Sequence, residues 1–193
     1  MRKVIFSFLL LISSFVSAKS VQYSVKDLYG DWHCQIEHKD HNAKVLADYR
    51  LHKNGTAQIF SMLMFPAKEL PDAKFLSILY YSYAMTGKWA LVNDEIIIKI
   101  ENVINVQNES NYLAKQEIEK NAELKQIAQR FVEQIKQRKL SGITDKQQIQ
   151  IKSFEREDKV KDAMMIANDK TKGFCTRPLN PKIWSESFKQ VFP

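Results

Sequence analysis

The chain is short of glycine and proline, with five of each in 193 residues, and no low-complexity stretch interrupts it. That leaves no internal linker and favours one domain. No Gly-X-Ser-X-Gly, P-loop or His-Glu-X-X-His pattern occurs, so nothing in the sequence marks an activated serine, a phosphate-binding loop or a zinc protease centre. Cysteine is confined to Cys34 and Cys175. A strong charge imbalance is also missing: from Lys19 onward twenty-seven basic residues face twenty-two acidic ones, a net +5 spread along the chain. This suits solubility and is a poor basis for nucleic-acid binding.

The first eighteen residues read as an address. Arg2 and Lys3 form a positive start, Val4 to Val16 is an apolar run, and Val16-Ser17-Ala18 ends in small residues. This is the pattern of a signal peptide cleaved after Ala18, too short for a convincing membrane span. The mature chain is therefore expected to be residues 19–193, exported to the periplasm or secreted, with no transmembrane segment. In an oxidising compartment the two cysteines are expected to pair. A Cys34–Cys175 bridge would close a loop of about 140 residues, worth roughly 4–5 kcal/mol in the chain-entropy account.

Alternation of apolar and polar residues then dominates. In Gly30 to His38, Trp32, Cys34 and Ile36 share a face, with Asp31, His33, Gln35 and Glu37 on the other. Lys44 to His52 alternates likewise, and Asn54-Gly55 predicts a two-residue type I′ hairpin leading to a strand over 57–65. Residues 66–73 read as a loop. Phe75 to Leu91 reads as one long strand with Tyr81, Tyr83, Met85, Trp89 and Leu91 in phase and a kink or bulge at Gly87. After a turn at Val92-Asn93-Asp94, Glu95 to Val106 gives a fifth strand.

Asn111 to Leu140 changes period. Leu124, Ile127, Ala128, Phe131 and Ile135 recur at helical spacing, and Gly142 supplies a stop. A long helical insertion over about 111–140 is predicted, although Leu113 and Ile118 lie off the stripe and leave a separate first helix open. Strands resume over 148–154, 160–166 and 171–175, and Trp184, Phe188 and Val191 predict a short C-terminal helix. The sum is a mainly β protein: an eight-stranded antiparallel up-and-down barrel with a helical insertion after strand five. Such a barrel is filled by side chains or holds one small ligand.

Gly30-Asp31-Trp32, and later Thr86-Gly87-Lys88-Trp89 with Asn93-Asp94-Glu95-Ile96, resemble the Gly-X-Trp motifs of bacterial lipocalin-like proteins. The resemblance covers about residues 25–106. It implies a tryptophan at the closed end of a barrel with an arginine lying across it; here Trp32 and Arg177 would take those roles. A Thr-Asp-Tyr-like motif is missing, and a mid-barrel helix of this length is foreign to ordinary lipocalins.

Three kinds of chemistry remain to be weighed. His33, Cys34, His38 and His41 have a zinc-like spacing, but on a strand His33 and Cys34 face opposite ways and a bridged Cys34 cannot ligate, so no metal or cofactor is expected. A Cys-His nucleophile fails on the same cysteine count, and no catalytic residue is assigned. The aromatic face of Tyr81, Tyr83, Met85 and Trp89 either fills the barrel or lines an apolar cavity. The expectation is a non-catalytic binding protein that encloses a hydrophobic small molecule or envelope lipid. The alternative is a periplasmic inhibitor or immunity protein that blocks a toxin or cell-wall-cleaving enzyme through residues 40–42, 66–73 and the insertion.

Overall fold

The computed structural model describes residues 23–39, 43–66, 78–139, 144–157 and 161–192. The expected signal peptide at 1–18, residues 40–42, residues 67–73 of the predicted 66–73 loop, and Gly142 lie outside the described residues. A 3₁₀ turn at Val25–Leu28 leads into β1 (Gly30–His38), β2 (Ala43–Leu51), β3 (Thr56–Pro66), β4 (Ile78–Val92) and β5 (Glu95–Asn108). Helices α1 (Tyr112–Lys120) and α2 (Ala122–Lys136) follow, then β6 (Lys146–Glu157), β7 (Lys161–Ala167), β8 (Thr171–Thr176) and α3 (Pro181–Val191).

The strands pair in sequence order, all antiparallel, and β8 returns to β1, closing one sheet into a barrel. Closure leaves no row of unpaired edge groups between first and last strand. The alternation decides the facing: Trp32, Cys34 and Ile36 are buried, as are Val45, Ala47, Tyr49 and Leu51 on β2 and Ala57, Ile59, Ser61 and Leu63 on β3. At the seam Cys34 stands opposite Cys175 in the β1–β8 register, and the two form a disulfide.

One hairpin departs from the sequence expectation, and a second, expected only as a turn, takes the shape predicted for the first. Asn54-Gly55 does not make a two-residue type I′ turn, since only Gly55 of the pair has a positive φ, at 80°. The N–H of Gly55 donates to His52 O, and the N–H of His52 donates to Thr56 O. This is a three-residue loop that ends in a left-handed glycine. The type I′ shape occurs instead at Asn93-Asp94, with φ of 50° and 60° between the paired Val92 and Glu95. At Gly87 the β4–β5 register slips, and a Cβ there would stand 2.2 Å from Lys99 O, so only glycine fits the bulge.

The insertion is not one long helix. It is two short ones, of 9 and 15 residues, broken at Asn121. Asn121 is extended (φ −111°, ψ 112°), and its side chain accepts from the N–H groups of Glu123 and Leu124, so it caps α2 where a continuous helix would have passed through. The helices belong to the core: Ala114, Ile118, Ala128 and Ile135 are buried, with Leu124, Phe131 and Val132 packed against the same cluster. Strand β6 meets only Glu95–Lys99 of β5. Above that point the Ile100 N–H donates to Asp145 O (2.8 Å), and Arg138 donates from Nη1 to Ile100 O (2.8 Å). The segment after α2 thus takes up backbone groups that β6 leaves unpaired. The even-numbered phase expected of β5 (Ile96, Ile98, Ile100, Ile104, Val106) holds through Ile100, after which Val103 packs against the core in place of Ile104 and Val106 rejoins it.

Candidate functional site

One end of the barrel is closed by residues that the sequence places far apart. The guanidinium carbon of Arg177 lies 3.8 Å from the Trp32 ring centroid. The same guanidinium donates to Tyr29 O (3.0 Å), Asp31 O (3.1 Å) and Asp27 O, and its Nε sits 3.5 Å from Asp162 Oδ2. The indole N–H of Trp32 donates to Leu28 O at 2.8 Å. Cation–π attraction and charge-assisted hydrogen bonds, both strengthened by burial, thus hold the 3₁₀ turn under the barrel floor. Gly30 carries the chain from the turn into β1 at a φ of 97°, a conformation that favours glycine, while Arg177 Nη1 would meet a Cβ there only in ordinary contact at 3.5 Å.

Above that floor the interior divides. Near it Trp32, Leu51, Ile59, Met85, Ile98 and Phe154 pack among themselves as ordinary core. Toward the other end a cavity of about 310 Å³ remains. Its walls are Ile36, Val45, Ile149 and Ile166, its polar groups are Tyr49, Ser61, Tyr83 and Gln147, and its rim carries His38, Lys146, Asn168 and Lys170.

The four predicted aromatic-face residues are all buried, but only Tyr83 lines this cavity. Tyr81 lies against Phe131 of α2, with ring centroids 5.8 Å apart, and its hydroxyl meets no partner. Met85 is core, its sulfur 3.9 Å from Gln147 Nε2. Trp89 belongs to the closed end, where its indole N–H donates to His52 O at 3.0 Å and its ring meets Tyr29 edge-on.

Burial sets the chemistry of the cavity. It pushes the Tyr49 phenol far above its ordinary range, helped by the neighbouring Tyr83. It does the same to Tyr83, offset in part by a hydrogen bond with Ser61, which is directly opposite in the β3–β4 register. Both phenols are therefore neutral at any physiological pH and act as hydrogen-bond donors or acceptors. The side-chain oxygen of Gln147 is buried without a partner. A polar atom in that state is costly unless a guest or a water meets it.

No protein-family model matches the chain, and no curated protein matches it significantly. The reading of the site therefore rests on its geometry. Among the described residues no three His, Cys, Asp or Glu side chains come together as metal ligands. Cys34 is spent in the disulfide, and His33 faces the other way, hydrogen-bonded to Asp48 Oδ1 at 2.7 Å.

The expected aromatic face contributed one lining residue, and three more had gone unremarked. Ser61 is a small polar residue in the inward phase between Ile59 and Leu63, and Gln147 precedes Ile149 in the inward phase of β6. Polar residues at such positions are the trace that a hollow leaves in a sequence, because a packed core would disfavour them. Tyr49 stood in the alternation of β2 and gave no sign beyond its size.

Proposed function

We propose that this is an exported, non-catalytic binding protein of lipocalin-like architecture that encloses a small hydrophobic molecule with a polar end. The observation that carries the reading is the cavity of about 310 Å³ with its four aliphatic walls and its hydroxyl groups. Ligand sites commonly measure about 300–1,000 Å³, so this one takes a small guest or one end of an envelope lipid. The aliphatic side chains would hold the body of the guest. Tyr49, Tyr83, Ser61 and Gln147 would meet its polar end, and Lys146 and Lys170 give the rim a positive cast. Helix α2 would support the wall beside the mouth through Phe131 and Tyr81.

A fluorescent apolar probe such as N-phenyl-1-naphthylamine tests this. Saturable enhancement that is lost in Ser61→Leu or Ile166→Phe, each of which fills the hollow, is expected. Unchanged binding in both variants would place the probe elsewhere and remove the cavity as the site.

A second reading, a protein-binding inhibitor, draws on a different observation. On the outer wall Met165 (51% exposed) and Phe174 (41% exposed) flank Leu46 and Met64, with Lys44, Lys152 and Lys172 around them. Glu37 shares the patch and pairs with Lys172 (2.9 Å) and Lys44 (3.9 Å), so this apolar exposure with an excess of lysine would suit a partly acidic protein surface. Here Phe174→Asp should abolish capture of such a partner while leaving probe binding intact.

A further inference from the structure

The barrel cavity is polar at its inner end and charged only at its rim. Ser61 and Tyr83 stand in one register row with Cys34 and Ala47, and Tyr49 lies two residues beyond Ala47 toward the closed end. Ile36 and Val45 form the next inward-facing row toward the mouth, where His38 pairs with Thr171 beside Lys170. Tyr49 is thus four residues inward of Val45 on the same face of β2, about 13 Å along the strand. Among the described residues no Asp or Glu lines the cavity, and its two lysines, Lys146 and Lys170, are exposed at the rim.

Two phenols at the inner end have hydrogens to give. Tyr49 is only 5% exposed. Its hydroxyl meets no hydrogen-bond partner among the described residues, and unlike that of Tyr81 it is not sealed away: it opens on the hollow. Tyr83 lies near enough to add to the raised pKa of Tyr49. The hydrogen bond between Ser61 and Tyr83 lowers the Tyr83 pKa against burial, the sense expected when the serine donates. That leaves the Tyr83 O–H free, and polarisation along the chain of hydrogen bonds makes it a stronger donor. Phenols also donate more readily than they accept, because the oxygen shares its lone pairs with the ring.

The surroundings decide what such donors can meet. A carboxylate drawn down to them would lose its water while both lysines stay out at the rim, and an ammonium would find no carboxylate. A hydrocarbon end would leave both O–H groups unpaired. An uncharged acceptor with two lone pairs satisfies both donors and meets neither penalty.

We propose that the inner end of the cavity selects an uncharged carbonyl-type oxygen, which accepts from Tyr49 and Tyr83 together while the aliphatic body of the guest passes Ile36, Val45 and Ile166 toward the mouth. This selection rests on the barrel being the binding site proposed above, and names the polar end that such a guest carries. A charged end belongs at the rim, beside Lys146 and Lys170.

Displacement of N-phenyl-1-naphthylamine from the protein tests this, with 2-octanone, 2-methyl-1-octene and octanoate as competitors. The alkene has the shape of the ketone without its oxygen, and octanoate carries the charge. After correction for the probe affinity of each variant, the ketone should compete about fivefold more weakly in Tyr49→Phe and in Tyr83→Phe, the worth of one ordinary hydrogen bond. The alkene and octanoate should lose nothing. The infrared carbonyl band of the ketone should move to lower wavenumber on binding, and less far in either variant. A ketone whose competition and carbonyl band ignore both substitutions would overturn the proposal. So would octanoate weakened as much as the ketone, which would put a carboxylate at the phenols. Probe binding that survives Ser61→Leu would remove the barrel site and this selection with it. Probe binding lost in Ser61→Leu beside an indifferent ketone would sink the selection alone.

Discussion

Cys34 and Cys175 face each other across the seam where the first and last strands meet, with Cα atoms 4.0 Å apart and both side chains fully buried. The disulfide spans 141 positions in sequence but joins direct neighbours in the sheet. It therefore ties together the two strands whose pairing closes the ring, and whose separation in the unfolded chain is greatest.

Removing that tie should cost much of the stability. The loop-entropy account gives about 5 kcal/mol for a loop this long, and native bridges in exported domains commonly cost about 2–5 kcal/mol on removal. Urea denaturation of the Cys34→Ala/Cys175→Ala double variant should show a loss in that range. A midpoint equal to that of the oxidised protein would mean the seam holds without it.

At the closed end, Arg177→Lys should be far from conservative. Lysine keeps the charge but cannot lie flat on Trp32 while donating to three carbonyls. A loss of about 2 kcal/mol is expected, which lowers the melting temperature by roughly 4–8 °C in a domain of this size. An unchanged melting temperature would show that the stacked guanidinium contributes nothing.

Tyr81 offers the opposite sign. Burial pushes its phenol up to about 12, and the hydroxyl has no partner. Tyr81→Phe keeps the ring against Phe131 and removes the orphaned group, so stability should rise by about 1 kcal/mol. Thermal unfolding that moves downward instead would reveal a partner for that hydroxyl.

His33 should titrate above its ordinary 6.5, because its hydrogen bond to Asp48 outweighs the opposing effect of burial. A folded-state value raised above the unfolded one stabilises the fold fully below about pH 6.5 and loses that contribution as pH rises through the folded value. Stability should thus fall over that interval in the parent and not in His33→Gln. In Asp48→Asn, imidazole NMR should find a midpoint at or below 6.5, since burial remains and the carboxylate is gone. A midpoint that ignores Asp48→Asn would contradict the pairing.

How much of this was legible beforehand depended on what each feature needs. Facing was legible because a half-buried strand has period two, which placed Trp32 and Cys34 inward and His33 outward. The bridge was legible from the cysteine count together with the export that residues 1–18 lead one to expect. The break at Asn121 was legible only in part: Leu113 and Ile118 lie off the stripe that runs from Leu124, which left a separate first helix open, but the cap itself is a matter of one side chain turning back on two amides. The type I′ turn fell at Asn93-Asp94 and not at Asn54-Gly55 because pairing register, set by neighbouring strands, decides which residues stand at the tip. Depth was the least legible. Tyr81, Tyr83, Met85 and Trp89 share one phase, yet they fall at a helix contact, a cavity, the core and the closed end, because position along the barrel axis follows from the stagger of all eight strands.

The central claim is that the hollow beside Tyr83 holds a guest. Native mass spectrometry of the protein purified from the envelope fraction of its own host tests it most directly. A bound small molecule should appear as added mass, leave on denaturation, and be missing from Ser61→Leu purified in the same way. A bare polypeptide mass under gentle conditions, or the same added mass retained in Ser61→Leu, would contradict the account.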